Sequence, residues 1–228
     1  MDRRTFLKTV PAVTMLAGAM PVSAQEDLSV ITLPQPEKDG GKSVLAALQE
    51  RRTNRNISDK PLGPQMLSNL LWAAFGVNRQ QGSFGKPGRT APSASNSQEI
   101  DLYVALPTGV YLYEAMPHRL EPVVAGDLRA RSGRRAAQTA PVNIFYVADL
   151  TRYDEGPGQP DRNIGNPEVQ KSYYYVATGL IAQNVYLFCA SQGLAAWFHN
   201  CDKENTAKEL KLHPKQRVLF AQTVGYPA

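Results

Sequence analysis

The 228-residue chain contains only two cysteines and three histidines. Two thiols are too few for a multi-bridge disulfide scaffold or a four-thiolate metal site. His118, His199 and His213 show no metal-ligand spacing, so the sequence predicts no metal site. The chain also lacks the run of about 20 apolar residues that a membrane-spanning helix requires. These shortages exclude a disulfide-rich domain and a polytopic membrane protein.

The composition is that of an ordinary globular domain. Hydrophobic residues make up 43% and charged residues 20% of the chain, which excludes a disordered chain. The length allows one domain or at most a small pair. The formal net charge is +5, from 25 Lys+Arg and 20 Asp+Glu. Removing residues 1–24 would leave 22 Lys+Arg against 19 Asp+Glu, or +3, and this balance gives no reason to expect a nucleic-acid partner.

The first 24 residues have the order of an export signal. Asp2–Lys8 resembles the twin-arginine pattern Arg-Arg-x-Phe-Leu-Lys. A short, mildly apolar stretch follows over Thr9–Met20, and Val22–Ala24 offers a small-x-small cleavage site. We therefore predict that residues 1–24 are removed and that the mature protein lies in the periplasm or another extracytoplasmic space, without stable membrane insertion. The alternative is a basic N-terminal helix of the domain itself.

The remaining chain divides into an extended segment, residues 25–42, and one domain, residues 43–228. Apolar periodicity predicts helices over Ser43–Arg51, Gly63–Gly76, Val169–Gln192, Lys203–Leu212 and, in parts, Leu120–Gln138. Alternating or continuous apolar runs predict strands over Ile100–Leu106, Val110–Tyr113, Val142–Ala148, Ala195–His199 and Arg217–Val224. Because helices and short strands are mixed without a regular βαβ rhythm, the predicted fold class is α+β.

Two polar segments are predicted to be loops. Val77–Thr90 is rich in glycine, which favours turns over regular structure. Thr151–Pro167 is too long for a plain connection, so we expect it to be a lid or a binding loop.

The segment after the first predicted helix concentrates phosphate-binding chemistry. Arg51, Arg52 and Arg55, with Thr53, put three guanidiniums and a hydroxyl within five residues. Guanidiniums donate bidentate, charge-assisted hydrogen bonds to phosphate. The alternative is a solvated basic helix end, which the helix dipole also favours. A second segment, Pro92–Gln98, has small polar residues that would let a flat heteroaromatic ligand approach the backbone, although most such segments are only loops.

Together with three further segments, these two make the chain resemble the nitroreductase family of FMN-dependent oxidoreductases. The resemblance runs from about Ser43 to the end, with the motifs in the family's order. The segments that carry it are Arg51–Arg55, Pro92–Gln98, Gly193–Leu194, Trp197–Asp202 and Gly225–Pro227. Leu70–Gly76 and Gly109–Tyr113 are more similar to the SagB-type dehydrogenase branch.

The resemblance implies a homodimer with a mixed, largely antiparallel sheet flanked by helices, and FMN at the dimer interface. The flavin would carry the chemistry, so no side-chain nucleophile is needed. Among the side chains, His199 alone is expected to have a catalytic role, as a hydrogen-bond or proton donor near the flavin N5 edge. The alternative is that only its backbone amide matters. The implied cofactor-binding residues are Arg51, Arg52, Thr53, Arg55, Pro92, Ser93, Ala94, Asn96, Trp197, His199 and Asn200.

The chain departs from the family pattern where the phosphate is concerned. Family members often carry a basic residue after the closing strand, and Gly225–Ala228 holds none. Arg89 or Lys86 is expected to substitute.

The other candidate residues have simpler interpretations. Cys189, within an apolar helix, is expected in the core, and Cys201 is expected to be exposed without a disulfide between them. Tyr173–Tyr175 is expected to serve packing and dimer contact, with the alternative that one tyrosine lines a substrate pocket. His118 and His213 are expected at the surface.

The function expected from these observations is an exported, FMN-dependent oxidoreductase. It would pass hydride or electrons from a donor, with nicotinamide as the candidate, to an electron-poor small molecule such as a nitroaromatic or a quinone. One alternative is a SagB-like dehydrogenase that oxidises a ring in a peptide or a small metabolite. The other is a flavin-binding protein without turnover, which export away from nicotinamide pools would favour.

Overall fold

The computed structural model describes residues 28–133, 135–154 and 164–228. The export signal predicted for residues 1–24 and the centre of the predicted lid, residues 155–163, lie outside the described residues. No helix within the described ranges is both long enough and apolar enough to cross a membrane.

A seven-stranded sheet forms the centre of the fold, and its described strand pairs are all antiparallel. The strands are β1 (Ile31–Thr32), β4 (Ile100–Leu106), β5 (Gly109–Glu114), β6 (Arg119–Ala125), β7 (Val142–Asp149), β8 (Ala195–His199) and β9 (Gln216–Gly225). Their spatial order is β1-β6-β5-β4-β7-β9-β8, which places β8 at one edge of the sheet. Two short strands, β2 (Val77–Arg79) and β3 (Gly88–Arg89), pair separately within the segment predicted as a Gly-rich loop.

Five α-helices surround the sheet in the described part of the chain. They are α1 (Val44–Glu50), α2 (Pro64–Phe75), α3 (Arg135–Thr139), α4 (Pro167–Gln192) and α5 (Lys203–Glu209). Helix α4 is the longest, and the Asn166 side chain caps its first turn by accepting from the Glu168 amide at 2.9 Å. It ends at Gly193, whose φ of +71° is the left-handed conformation that glycine adopts without strain.

The larger core lies between the sheet and helices α2 and α4. Leu70 and Leu71 of α2 and Ile181 and Val185 of α4 are fully buried there. A smaller apolar cluster on the opposite face of the sheet includes Phe145. Strands β4 and β7 are therefore covered on both faces, which explains their nearly continuous apolar sequences.

The predicted α+β class is confirmed, and most predicted elements are found with bounds shifted by a few residues. The helical prediction for Leu120–Gln138 is wrong over Leu120–Ala125, which belongs to β6. Pro122 made this segment a poor strand candidate, since proline has no amide hydrogen for a ladder. The proline is tolerated because it lies opposite a bulge at Val110/Tyr111, beyond the two residues of β6 that pair with β1.

Two burial predictions are also wrong. His118 is only 7% exposed, and its ring nitrogens lie 2.7 Å from Ser68 Oγ and 2.9 Å from Tyr113 Oη. Cys201 is buried on the smaller apolar cluster, while Cys189 is buried in the main core as expected. Both thiols are free.

Candidate functional site

The Arg51–Arg55 segment leaves α1 and runs along the outer edge of β8. Its backbone is fixed there because the Asn54 amide donates to the Ala196 carbonyl at 3.0 Å. The chain then meets the C-terminal residues through a bridge between Ile57 and Pro227. Gly225 is required at this junction, since a Cβ there would lie 2.7 Å from atoms of Ile57 and Pro141.

Three guanidiniums project from this segment without carboxylate partners. Arg51 lies over the Tyr186 ring at 5.5 Å and Arg55 over the Trp197 ring at 5.3 Å. Within the described residues, Arg51, Arg52 and Arg55 form no ion pair, although the chain has many surface ion pairs elsewhere. A cluster of cations that are left unpaired in this way has the donor chemistry of a phosphate site.

Tyr186 of α4 joins this segment to β8. Its hydroxyl oxygen accepts the Phe198 amide at 2.8 Å and lies 3.0 Å from Thr53 Oγ1. Sequence reasoning missed Tyr186, because a tyrosine within a long, mostly apolar helix gives no signal beyond packing. Tyr186 can be identified as a site residue only when the burial pattern of α4 and the position of Thr53 are both known.

The second predicted segment, Trp197–Asn200, spans the end of β8 and the residue after it. Trp197 is half-buried, Asn200 is exposed and His199 is only 6% exposed. The His199 ring lies 4.6 Å from the Trp197 ring, centroid to centroid. The structure therefore brings Trp197 and His199 to the same edge of the sheet as Arg55.

Both nitrogens of the His199 imidazole face protein oxygens. Nδ1 lies 2.9 Å from the Asn200 carbonyl and Nε2 lies 2.9 Å from Thr223 Oγ1. The Thr223 hydroxyl in turn donates to Asn143 Oδ1 at 2.6 Å. The side chain thus takes part in a buried polar chain, and this arrangement favours the structural alternative for His199 over the proposed proton donor.

The third predicted segment, Pro92–Gln98, is a tightly held loop with an unusual backbone. Ser95, Asn96 and Gln98 all have φ near +50°, a region that non-glycine residues rarely adopt. The Asn96 side-chain nitrogen Nδ2 donates to the Ser83 carbonyl at 2.9 Å, and its Oδ1 accepts from Gln98 Nε2 at 2.9 Å. Ser93 Oγ accepts the Gln98 amide at 2.9 Å. These side chains hold the loop in shape, and Pro92 is exposed on it.

Arg89 supports this loop, whereas the sequence predicts that Arg89 or Lys86 binds a phosphate. Its Nε donates to Gln98 Oε1 at 2.7 Å, one terminal nitrogen donates to the Phe75 carbonyl at 3.0 Å, and the group lies over the Phe75 ring. Burial lowers the pKa of Arg89 to about 10, mainly through desolvation. Lys86, the other suggested substitute, is 3.4 Å from the Ser97 carbonyl. Arg89 is thus engaged within its own loop, and its replacement of a C-terminal cation stays a prediction.

A second arginine anchors the same loop from below. Arg152 donates to the Gln98 carbonyl at 2.6 Å and pairs with the buried carboxylate of Asp101. Desolvation raises the pKa of Asp101, and the attraction of Arg152 opposes that effect. Gln98, held by both arginines, is thus the fixed end of the loop.

Within the described chain the predicted residues form two groups that contact different parts of α4. Thr53 contacts α4 at Tyr186, whereas Pro92–Ala94 borders a cavity of about 270 Å³ with Tyr173, Val176, Ala177 and Leu180 of α4. Ala177 and Tyr186 are nine residues apart, or about 14 Å along a helix axis. A cavity of about 110 Å³ lies beside Arg52 and Tyr186, and one of about 440 Å³ beside Arg89 and Asn96.

The largest described cavity, about 520 Å³, lies elsewhere and contains none of the predicted site residues. It lies between residues 37–42 and helices α1, α2 and α4. Guanidiniums that have no carboxylate partner among the described residues require a ligand or solvent, whereas an open groove does not, so the donor set is the stronger sign of a site.

Comparison with known proteins decides the family. The nitroreductase family model matches residues 48–226 of the chain. The chain belongs to the nitroreductase family. A nitroreductase-family protein from Ralstonia eutropha, known as a crystal structure, is 35% identical with a TM-score of 0.76, and the match covers 91% of this chain and 92% of that one. A relative from Methanocaldococcus jannaschii is 27% identical over 87% of this chain and 97% of its own length.

A more distant neighbour is a chain of the Escherichia coli microcin synthetase McbBCD complex. It is 19% identical with a TM-score of 0.61, over 97% of this chain and 84% of that one. This likeness shows the fold alone. The fold of the chain is thus the nitroreductase fold, as the sequence resemblance implied, and the chain is an oxidoreductase of that family.

Nitroreductase-family proteins generally bind FMN, and the site can be tested against that cofactor. The Arg51–Arg55 segment supplies cations and a hydroxyl for a phosphate, and Trp197 of β8 supplies an aromatic ring beside them. No group of three histidine, cysteine or acidic side chains suited to a metal occurs in the part of the chain described. The cations and the hydroxyl of Arg51–Arg55, beside the Trp197 ring, fit a phosphate-bearing flavin.

Proposed function

We propose that this nitroreductase-family chain is an exported, FMN-dependent oxidoreductase. It passes hydride or electrons from a donor, for which a nicotinamide nucleotide can serve in vitro, to an electron-poor acceptor of the nitroaromatic or quinone type. The observation that carries the proposal is the unpaired cation cluster of Arg51, Arg52 and Arg55 fixed against β8. A phosphate is the ligand that this cluster fits best.

The proposed active form is a homodimer with two composite sites. The two groups of site residues contact α4 about 14 Å apart. Packing two copies of α4 antiparallel about a two-fold axis between these positions would bring Pro92–Ala94 of one chain to the Arg51–Arg55 segment of the other. A single protomer would then hold only half of each site.

Exposed apolar side chains support this pairing. Val176 and Leu180 of α4 are 60% and 41% exposed, and Val44, Leu45 and Leu48 of α1 are also exposed. An apolar face on two neighbouring helices indicates an interaction surface. Val176 and Leu180 border the Pro92–Ala94 cavity, and the composite site requires the partner chain at that position.

When bound, FMN supplies the hydride and electron transfer. The chain's own residues bind and orient it. Arg51, Arg52, Arg55 and Thr53 hold the phosphate end. The Pro92–Gln98 loop, fixed by Arg89 and Arg152, presents a rigid surface to the ring without rearranging on binding.

Export is part of the proposal and rests on the order of the signal elements in residues 1–24. Cytoplasmic nicotinamide pools would then be out of reach, so the physiological donor would be another reductant in the same compartment. Reduction by a nicotinamide nucleotide in vitro therefore does not identify the physiological donor.

The test uses the purified mature protein. We expect a yellow protein with a flavin spectrum, release of FMN on denaturation, bleaching by NADH or NADPH without oxygen, and recolouring by a nitroaromatic or a quinone. A protein that binds no flavin would overturn the proposal. Bleaching of the oxidised flavin by a cyclised peptide or metabolite substrate, followed by recolouring with oxygen, would indicate the SagB-like alternative, and a flavin that no donor bleaches would indicate a binding protein.

A further inference from the structure

We propose that Tyr186 is a positioning residue that aims the Thr53 hydroxyl at the cofactor phosphate and fixes β8 beside it. The inference deepens the proposed function and rests on FMN being the ligand. It concerns a residue outside the motifs that carry the family resemblance.

Strand β8 pairs with β9 on one side only, so half of its backbone groups need other partners. On the free side the Ala196 carbonyl accepts the Asn54 amide, and the Phe198 amide donates to Tyr186 Oη at 2.8 Å. Tyr186 thus satisfies a backbone donor that neither the sheet nor the Arg51–Arg55 segment reaches. Removing its hydroxyl would leave that donor without a protein partner.

The proposal gives the next hydrogen bond one direction. An amide N–H can only donate, so Tyr186 Oη is the acceptor toward Phe198. The remaining described polar contact of Tyr186 Oη is Thr53 Oγ1 at 3.0 Å, where either oxygen can donate. In the proposed arrangement the tyrosine hydrogen is directed to Thr53, and the Thr53 hydroxyl hydrogen is left to donate to a ligand.

The result is a chain of donors that ends at the phosphate position. Phe198 N–H donates to Tyr186, Tyr186 donates to Thr53, and Thr53 is left to donate outward. Aligned hydrogen bonds strengthen one another, so an anion at the end of the chain binds better than it would to an isolated hydroxyl. Without Tyr186 the Thr53 hydroxyl would be free to rotate and to donate elsewhere.

The Tyr186 ring contacts Arg51 independently of the hydroxyl, so the test variant must keep the ring. The Arg51 guanidinium lies over it at 5.5 Å. Tyr186→Phe keeps the ring and removes only the hydroxyl. Tyr111→Phe is the matched control, because Tyr111 Oη and Thr108 Oγ1 form the same kind of pair at 3.0 Å in the turn between β4 and β5.

The experiment compares FMN with riboflavin, which lacks the phosphate, in titrations of the mature protein. We expect Tyr186→Phe to weaken FMN about threefold to tenfold and riboflavin less than twofold, whereas Tyr111→Phe changes neither. Thr53→Val should weaken FMN about tenfold or more, and Thr53→Ser should not. In the Tyr186→Phe, Thr53→Val double variant the losses should not add, since both act through one hydroxyl.

A second readout does not depend on flavin. In the flavin-free protein, Tyr186→Phe should speed hydrogen exchange at the Phe198 amide, while Tyr111→Phe leaves it unchanged. Wild-type protein that binds neither flavin would overturn the proposed function and this role together. Flavin-binding protein whose Tyr186→Phe variant loses FMN and riboflavin equally, or whose two losses add, would overturn the Tyr186 role alone.

Discussion

Arg55 lies over the Trp197 ring, with its guanidinium carbon 5.3 Å from the ring centroid, although the two residues are 142 positions apart. This contact joins the cation-rich segment after α1 to the edge strand of the sheet. The pairing keeps the guanidinium near the edge without neutralising its charge, since an aromatic ring attracts a cation but does not pair with it as a carboxylate does. The positive charge therefore remains available to a ligand.

The first prediction concerns this cluster. Arg51→Ala and Arg55→Ala should each weaken FMN about tenfold to a hundredfold, because a charge-assisted hydrogen bond contributes about 1.5–3 kcal/mol. Riboflavin should be affected far less, since it carries no phosphate. Arg217→Ala, which removes an exposed guanidinium at the start of β9, is the control. Equal losses for the two flavins would place Arg51 and Arg55 away from the phosphate.

The second prediction concerns His199. Because both ring nitrogens are bonded to protein oxygens, His199→Asn should lower the free energy of unfolding by about 1–3 kcal/mol through lost buried hydrogen bonds. It should leave the pH dependence of flavin reoxidation unchanged. Urea unfolding and stopped-flow reoxidation across pH 5–9 measure the two effects. A reoxidation rate that falls with rising pH in the parent, and a flattened, slower profile in the variant, would restore the proton-donor role.

Much of the architecture could be predicted because it follows from local patterns. The strand Val142–Asp149 is an apolar run, and the helix Pro167–Gln192 has an asparagine cap and a glycine end. The strand Arg119–Ala125 could not be predicted, since its pairing depends on a bulge in β5 and on a distant N-terminal strand. Where the guanidinium of Arg89 points also depends on residues far away in sequence.

The sequence predicts which segments form the candidate site but not how these segments are placed relative to one another. Residue types in Arg51–Arg55 and Trp197–Asn200 indicated a ligand, and the fold brings these two together. The separation of Pro92–Ala94 from them is set by the length of α4, and the role of Tyr186 by the free edge of β8. Neither property is encoded in spacing along the chain.

The third prediction tests the composite site. Val176→Asp and Leu180→Asp place a charge on the exposed apolar face of α4, where burial against a partner would be costly. We expect monomeric protein in analytical ultracentrifugation and loss of bound FMN together. Met116→Asp, at an exposed methionine in the turn after β5, is the control and should keep both properties. A monomeric variant with full FMN affinity would contradict a site shared between subunits.

The fourth prediction concerns export. An Arg3→Lys, Arg4→Lys double variant should accumulate in the cytoplasm as the full-length chain, because the twin-arginine pair is the receptor-read part of the predicted signal. Mass spectrometry of exported parent protein should give a chain that begins near Gln25. Normal export of the double variant would exclude this route, and exported protein that retains Met1 would exclude the cleavage.

The last prediction concerns His118, whose burial the sequence did not reveal. Its imidazole connects three parts of the fold, since it bonds Ser68 of α2 and Tyr113 of β5, and Ser68 Oγ donates to the Pro34 carbonyl at 2.6 Å. Desolvation lowers the pKa of His118 from its ordinary value of 6.5, and no charged group contributes to that shift. Above about pH 6.5 the ring is neutral in both folded and unfolded protein, so it adds no pH dependence there. Below that value the unfolded chain takes up a proton that the folded protein resists, so stability falls as the pH falls.

For a single proton the fall is at most about 1.4 kcal/mol per pH unit. Thermal unfolding of the parent between pH 5 and 7.5 should therefore show a decline on the acid side, and His118→Gln should reduce that decline while lowering stability at pH 7.5. If the acid-side decline is the same in the parent and in His118→Gln, the buried imidazole does not take up the proton that destabilises the fold.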